Sequence, residues 1–255
     1  MNTSKSNSRF RKKTAQIFVE GGGPNDANQA PCRKGFRILF EKCGYEPRSF
    51  QINACGGRDA TAKDFKIAHD KALKQYKASH GAEDLAYIAM LVDSEDPVVD
   101  ITKPCAHLNA RAVDKCDCPA DANDDQVFLM TTCMETWIVA DRAALQGHYH
   151  ADQSGKVKRP KQDQVITESM LPSLNGLEKQ NRHEVHDKLE NATAHCSNGF
   201  KKGARSFELL GKIDHCTLMK NLASFKRMIE ILDLKLGGQH SPCPGEGVDT
   251  INDSH

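Results

Sequence analysis

Apolar positions in this chain fall into short unbroken runs that alternate with longer stretches of helical period. Ala15–Val19 is a run of strand length that stops at Glu20-Gly21-Gly22-Gly23-Pro24. From Ala27 to Lys42, residues Phe36, Leu39, Phe40 and Cys43 recur as one face of a helix. Ser49–Ala54 alternates Phe50, Ile52 and Ala54 before Gly56-Gly57 breaks it, which predicts a second strand. Asp59–His80 places Phe65, Ala68, Ala72 and Tyr76 on one side and lysines on the other, an amphipathic helix. Ala86–Val92 is continuously apolar and ends in Asp93; Gln126–Thr131 is similar and leads into a helix predicted over Met134–Leu145.

Strands alternating with helices in this way predict a mostly parallel sheet with helices on both faces. Strands lacking polar alternation, such as Ala86–Val92, suit the doubly covered interior of such a sheet. From about Gly147 the character changes to charged, amphipathic sequence with short helical pieces. Ser206–Leu236 then carries enough apolar positions for two helices that pack back on the main domain. The expected organisation is a basic flexible arm over 1–14, an α/β domain over 15–146, a helical extension over 147–236 and a flexible tail over 237–255.

The 255 residues suffice for one large domain or a domain plus an extension, and 38% hydrophobic with 27% charged residues provides for a normal core. No apolar run reaches membrane-spanning length, so no membrane association is expected. The basic N-terminus leads into no apolar segment of a secretory signal, and the expectation is a cytoplasmic protein. A net charge of +1 argues against a wholly basic nucleic-acid coat. Lys5, Arg9, Arg11, Lys12 and Lys13 read as a solvated arm, with phosphate contact as the alternative. The ten cysteines read as reduced thiols rather than a disulfide framework. Cys105, His107, Cys116 and Cys118 cluster as zinc-capable side chains, but neither pair has a knuckle's two-residue gap or its glycine.

Chemistry concentrates at the strand ends. Glu20 stands directly after the first strand and Asp93 directly after the third. In a parallel sheet both lie on the carboxyl edge, where α/β proteins place their sites. Glu95, two residues further, points the same way if the chain stays extended. Three converging carboxylates repel one another unless a cation sits among them, and oxygen-only ligands suit Mg²⁺ or Mn²⁺. The plainer alternative is that an acid after a strand is a turn residue or helix cap. Gly21, Gly22 and Gly23 would let the backbone approach a phosphate closely. There is no G-x-x-x-x-G-K-[ST], no G-x-G-x-x-G and no G-x-S-x-G, which sets aside P-loop, dinucleotide-binding and hydrolase-elbow readings. A receiver-like pocket wants paired acids after the first strand, and here there is one.

One combination of segments is more specific. Val19-Glu20-Gly21-Gly22-Gly23, Gly56-Gly57-Arg58, Leu91-Val92-Asp93-Ser94-Glu95, Met134-Glu135-x-Trp137-x-x-Ala140-Asp141 and the later Phe200-Lys201-Lys202-Gly203 with Ser206-Phe207 together resemble the bacterial domain-of-unknown-function family 4276. The resemblance covers about Ala15 to Leu236. It implies a Toprim-like α/β fold and, as partner, an ATPase of the ABC or SMC type in antiphage defence loci. By position, it implies that Glu20 is a metal ligand or general acid/base. Asp93 and Glu95 match the D-x-D pair, with glutamate in the second place. The extra methylene would shift metal geometry by about an ångström. The implied activity is Mg²⁺- or Mn²⁺-dependent cleavage of nucleic-acid phosphodiesters, and a non-catalytic Toprim-like module that binds the ATPase or nucleic acid is the alternative. A homo-oligomer within a larger complex is compatible with either.

Other residues carry two readings each. Glu135 and Asp141 are six apart on a helix and do not share a face; Glu135, nearer the strand end, is the one expected to join the metal site, and Asp141 to cap or pair. Trp137 reads as a core anchor rather than a base-stacking platform. Arg58 is a phosphate clamp or a structural ion pair, and Lys201 and Lys202 are nucleic-acid contacts or a solvated pair.

Overall fold

The computed structural model of the chain describes residues 14–23, 26–79, 85–111, 118, 121–150, 165–196, 199–238 and 240–244. Four parallel strands, β1 (Ala15–Val19), β2 (Phe50–Ala54), β3 (Tyr87–Asp93) and β4 (Val127–Met130), form one sheet in the order β2-β1-β3-β4. Helix α1 (Asp26–Lys42) joins β1 to β2, α2 (Arg58–Ala78) joins β2 to β3, and α3 (Pro104–Ala110) lies between β3 and β4.

The topology dictates where these helices go. The chain steps from β1 to β2 on one side, then returns across β1 to reach β3 and continues to β4. Right-handed crossovers running in opposite directions must use opposite faces of the sheet. Accordingly, Cys32, Phe36, Leu39 and Phe40 of α1 pack on the face formed by Ile17, Val19, Ile52 and Leu91. Phe65 of α2 and Leu108 of α3 pack on the other face, against Phe18, Ile88, Met90 and Val92. Successive side chains of a strand point to opposite faces, so an unbroken apolar strand feeds both cores. The connections that leave β1 and β3 depart to opposite faces, which opens a crevice at their carboxyl ends.

The α1 face carries the remaining described helices: α4 (Met134–Ala140), α5 (Arg142–His150), α6 (Arg182–Thr193), α7 (Ala204–Leu210), α8 (His215–Asn221) and α9 (Ala223–Leu236). One continuous apolar cluster runs from Ala15 to Leu236. All seven residues of α4 are buried, because sheet and C-terminal helices enclose it from every side. Trp137 is its anchor, edge-on to both Phe36 and Phe225.

Two boundaries differ from the periodicity. The helix expected over Met134–Leu145 is two, because the Asp141 carboxylate turns inward to accept from the Ala144 N–H at 3.0 Å and from the Asp214 N–H at 2.8 Å. An acid that caps the next helix leaves the helical path itself. Ser206–Leu236 holds three helices rather than two. Asp214 caps α8 through the Thr217 N–H, and the first amides of α9, Ala223 and Ser224, donate to the Glu178 carboxylate at 2.7 and 3.0 Å. That last cap comes from a distant segment, so local sequence carries no trace of it.

Cys216 and Cys243 form a disulfide, where reduced thiols were expected throughout; Cys32, Cys43, Cys55, Cys105, Cys133 and Cys196 are free thiols. Residues 240–244 fall in the stretch expected to be a tail, and they are fastened to the body by this bridge and by Ser241 N–H to the Cys43 carbonyl at 2.7 Å. The basic arm over 1–13 lies outside the described residues. Among the described residues no helix is long and apolar enough to cross a membrane.

Candidate metal centre

The β1 ladder extends one residue past the strand, with Glu20 N–H donating to the Leu91 carbonyl at 2.9 Å. Gly21 and Gly56 then exchange two backbone hydrogen bonds of 2.7 and 3.0 Å, which ties the ends of β1 and β2 together. Gly22 has φ +86°, and a Cβ there would lie 2.8 Å from the Gln29 Cα. Both the backbone conformation and the contact with α1 therefore demand glycine at this position.

Asp93 ends β3, and its backbone N–H donates to Glu20 Oε2 at 3.1 Å, drawing the glutamate across the crevice. Beyond it the chain keeps pairing with β4: Ser94 N–H reaches the Met130 carbonyl at 3.1 Å and Glu95 N–H the Thr132 carbonyl at 2.8 Å. Glu95 is nevertheless not extended as expected; its φ is +68°. The Ser94 carbonyl is engaged from α3 by His107 Nε2 at 3.1 Å and Arg111 Nη1 at 3.0 Å, and the Ser94 hydroxyl donates to the Asp96 carbonyl. These bonds turn the chain at Glu95 while still delivering its carboxylate. Ligand oxygens of Glu20, Asp93 and Glu95 all lie within 4.8 Å of one another.

Charge is divided unevenly across this cluster. Arg58, at the start of α2, places Nη2 2.5 Å from Glu95 Oε1 and Nε 3.5 Å from Glu20 Oε2. Arg182, at the start of α6, pairs with the other Glu95 oxygen. Glu135, in the first turn of α4, is buried and faces Lys202 at 3.8 Å. Asp93 makes no such ion pair among the described residues: its Oδ1 is sealed from solvent and accepts no hydrogen bond from them, and Lys202 and Arg58 act on it only from a distance. Burial pushes its carboxyl well above the usual range, and the nearby Glu20 and Glu135 carboxylates push further in the same direction. Burial also raises Glu20, against the pull of Arg58 and of the Asp93 N–H.

A buried carboxylate oxygen without a donor, facing two more acids, is what a bound cation would complete. Glu20 and Asp93 therefore fit a hard divalent ion, and Glu135 lines the same cleft. Glu95 completes the oxygen set by distance, but both of its oxygens sit on guanidinium groups. A cleft of about 350 Å³ opens onto the acids, lined by Glu20, Gly21, Gly22, Asp93, Glu135 and Lys202 among others.

Sequence reasoning placed Glu20, Gly21, Gly22, Asp93, Glu135 and Lys202 on this cleft, with Arg58 and Glu95 beside it. Lys201 is exposed and does not line it; its carbonyl accepts from the Ser206 hydroxyl. Arg182 was missed, because nothing in the local pattern distinguishes an arginine opening a surface helix. The zinc reading finds no support among the described residues. Cys105, His107 and Cys118 do not form a group with ligand atoms close together, His107 Nε2 is engaged with the Ser94 carbonyl, and Cys116 lies outside the described residues.

The family described as Domain of unknown function (DUF4276) matches residues 19–233. The chain belongs to this family. The DUF4276 match begins one residue before Glu20 and runs into α9, so it takes in every acid and cation of the cleft together with the helices that hold them. No curated protein and no solved structure matches the chain.

Proposed function

We propose that this DUF4276 protein is a Toprim-type nuclease effector that cleaves nucleic-acid phosphodiesters with Mg²⁺ or Mn²⁺ and acts with an ABC- or SMC-like ATPase in antiphage defence. One observation carries the metal-dependent part: the buried, unpartnered Asp93 Oδ1 held among Glu20 and Glu135 at the carboxyl edge of a parallel sheet. The ATPase partnership and the defence setting come from the resemblance to the family alone.

In this reading Glu20 and Asp93, with Glu95 and Glu135 as the further acids, hold the ion, which when bound would supply Lewis-acid stabilisation of phosphate charge and lower the pKa of water. Burial raises the Glu20 carboxyl against the pull of Arg58 and of the Asp93 N–H, so a bound cation would take the place of the proton that burial favours. Lys202 on the rim and Arg58 beside the acids offset the negative charge that a phosphodiester brings into a carboxylate-lined cleft. Gly21 and Gly22 leave the wall open to a close backbone approach.

A second reading, a non-catalytic module that binds the ATPase or nucleic acid, draws on the ion pairs of Arg58 and Arg182, which neutralise the acid at the second D-x-D place. Purified protein incubated with DNA or RNA and Mg²⁺ or Mn²⁺, with and without the ATPase, separates the two. Cleavage that falls at least about 100-fold in both Glu20→Ala and Asp93→Ala supports the enzyme. No cleavage under any condition, with ATPase assembly intact, supports the module.

A further inference from the structure

The cations of the cleft are not spread evenly among its acids. Among the described residues, Glu95 pairs with two guanidinium groups, Arg58 from α2 and Arg182 from α6, and Asp93 Oδ1 with none. One corner, around Glu95, thus carries more positive than negative charge. The other, around Asp93, Glu20 and Glu135, carries more negative than positive, with Lys202 as its nearest lysine. A divalent cation with a phosphate on it has the complementary polarity.

The two arginines are placed rather than free to wander. Arg58 opens α2 behind Gly57, and its side chain is buried between Glu95 and Glu20. Arg182 opens α6 directly after Asn181, whose side chain caps that helix by accepting from the His183 N–H at 2.8 Å. The preceding Gln180 carbonyl accepts from the Thr132 hydroxyl at 3.0 Å, and Thr132 also holds the Glu95 N–H. Thr132, two residues past β4, therefore fixes both partners of the Arg182–Glu95 pair. A guanidinium fork matches a carboxylate and a phosphate equally well, so a phosphate brought beside Glu95 can take its place on the fork.

We propose that Arg58 and Arg182 are the phosphate-reading half of the cleft: Glu95 holds them in the absence of substrate, a substrate phosphate takes them over, and phosphate and divalent cation consequently bind cooperatively. The proposal rests on the metal site described above and adds to it the regulation of that site. Transfer of the arginines to phosphate frees Glu95 to face the ion, which strengthens cation binding. By linkage the cation strengthens phosphate binding by the same factor. Phosphate without the cation meets Glu20, Asp93 and Glu135 unscreened and is held weakly.

The test is calorimetric titration of the full chain with Mn²⁺, with and without thymidine 3′,5′-bisphosphate as a phosphate probe that offers no internucleotide bond to cut. The expected result is Mn²⁺ affinity at least about fivefold tighter with the nucleotide, and the same factor in the reverse titration. In Arg182→Ala, checked for native circular dichroism, Mn²⁺ alone binds as tightly as in wild type or tighter, because Glu95 is released. The coupling factor falls toward one, and Arg182→Lys restores part of it. Mn²⁺ binding that the nucleotide does not affect, or coupling unchanged in Arg182→Ala, overturns the proposal while leaving the metal site standing. No Mn²⁺ binding in wild type overturns the metal site and the proposal with it.

Discussion

Asp93→Asn removes one negative charge from the cleft at almost constant volume, and its effect on stability should run opposite to that of most core substitutions. The Glu20 and Asp93 oxygens lie within 4.8 Å of each other. At an effective dielectric of about 20, two unit charges at that separation repel by roughly 3.5 kcal/mol. Arg58, 3.5 Å from Glu20, cancels part of this, which leaves a gain of about 1–3 kcal/mol for the variant. In a chain of this size that corresponds to a melting temperature higher by roughly 3–10 °C. Asp93 and Glu20 both have carboxyls raised in the folded state. The stability they contribute is full below the ordinary carboxylate pKa near about 4 and is lost as pH rises through the folded values. The advantage of Asp93→Asn should accordingly be small at low pH and grow as pH rises. Scanning calorimetry in EDTA across that range measures it, and repeating the scans with Mn²⁺ should raise the wild-type melting temperature more than the variant's. A variant less stable than wild type in EDTA, or an advantage that does not grow with pH, or equal Mn²⁺ stabilisation of both, would refute the reasoning.

Two further outcomes concern the scaffold. Asp141→Ala loses the Ala144 and Asp214 hydrogen bonds, and urea denaturation should show a cost of about 2–4 kcal/mol with Mn²⁺ affinity retained; a loss of Mn²⁺ binding in a folded variant would instead put this acid in the metal site. The Cys216–Cys243 bridge spans 27 residues, so its reduction should cost about 3.5 kcal/mol, read as a melting temperature lower by several degrees in dithiothreitol. An unchanged melting temperature would show that the bridge contributes nothing.

The local pattern of residues was enough to determine the strands, the alternating helices and the edge on which the acids lie, because apolar runs and helical periods report burial directly. Glu20 and Asp93 were legible for that reason: an acid that ends an apolar strand has only one edge of a parallel sheet to occupy. Glu135 was legible as the acid nearest the β4 end, and Trp137 as an apolar anchor. What the sequence left undecided was every pairing made across long separations. Whether Met134–Leu145 is one helix or two depends on Asp141 finding the Asp214 amide, and where α9 begins depends on Glu178. The conformation of Glu95 depends on α3 holding the Ser94 carbonyl, and its ion pairs depend on α2 and α6 arriving from opposite parts of the chain. Hydrogen bonds and ion pairs of this kind act over a few ångströms in space and leave no period in the sequence. Tertiary structure alone therefore decided that the second acid of the Asp93-Ser94-Glu95 segment is paired with two arginines, while the first keeps a buried carboxylate oxygen that accepts no hydrogen bond from the described residues.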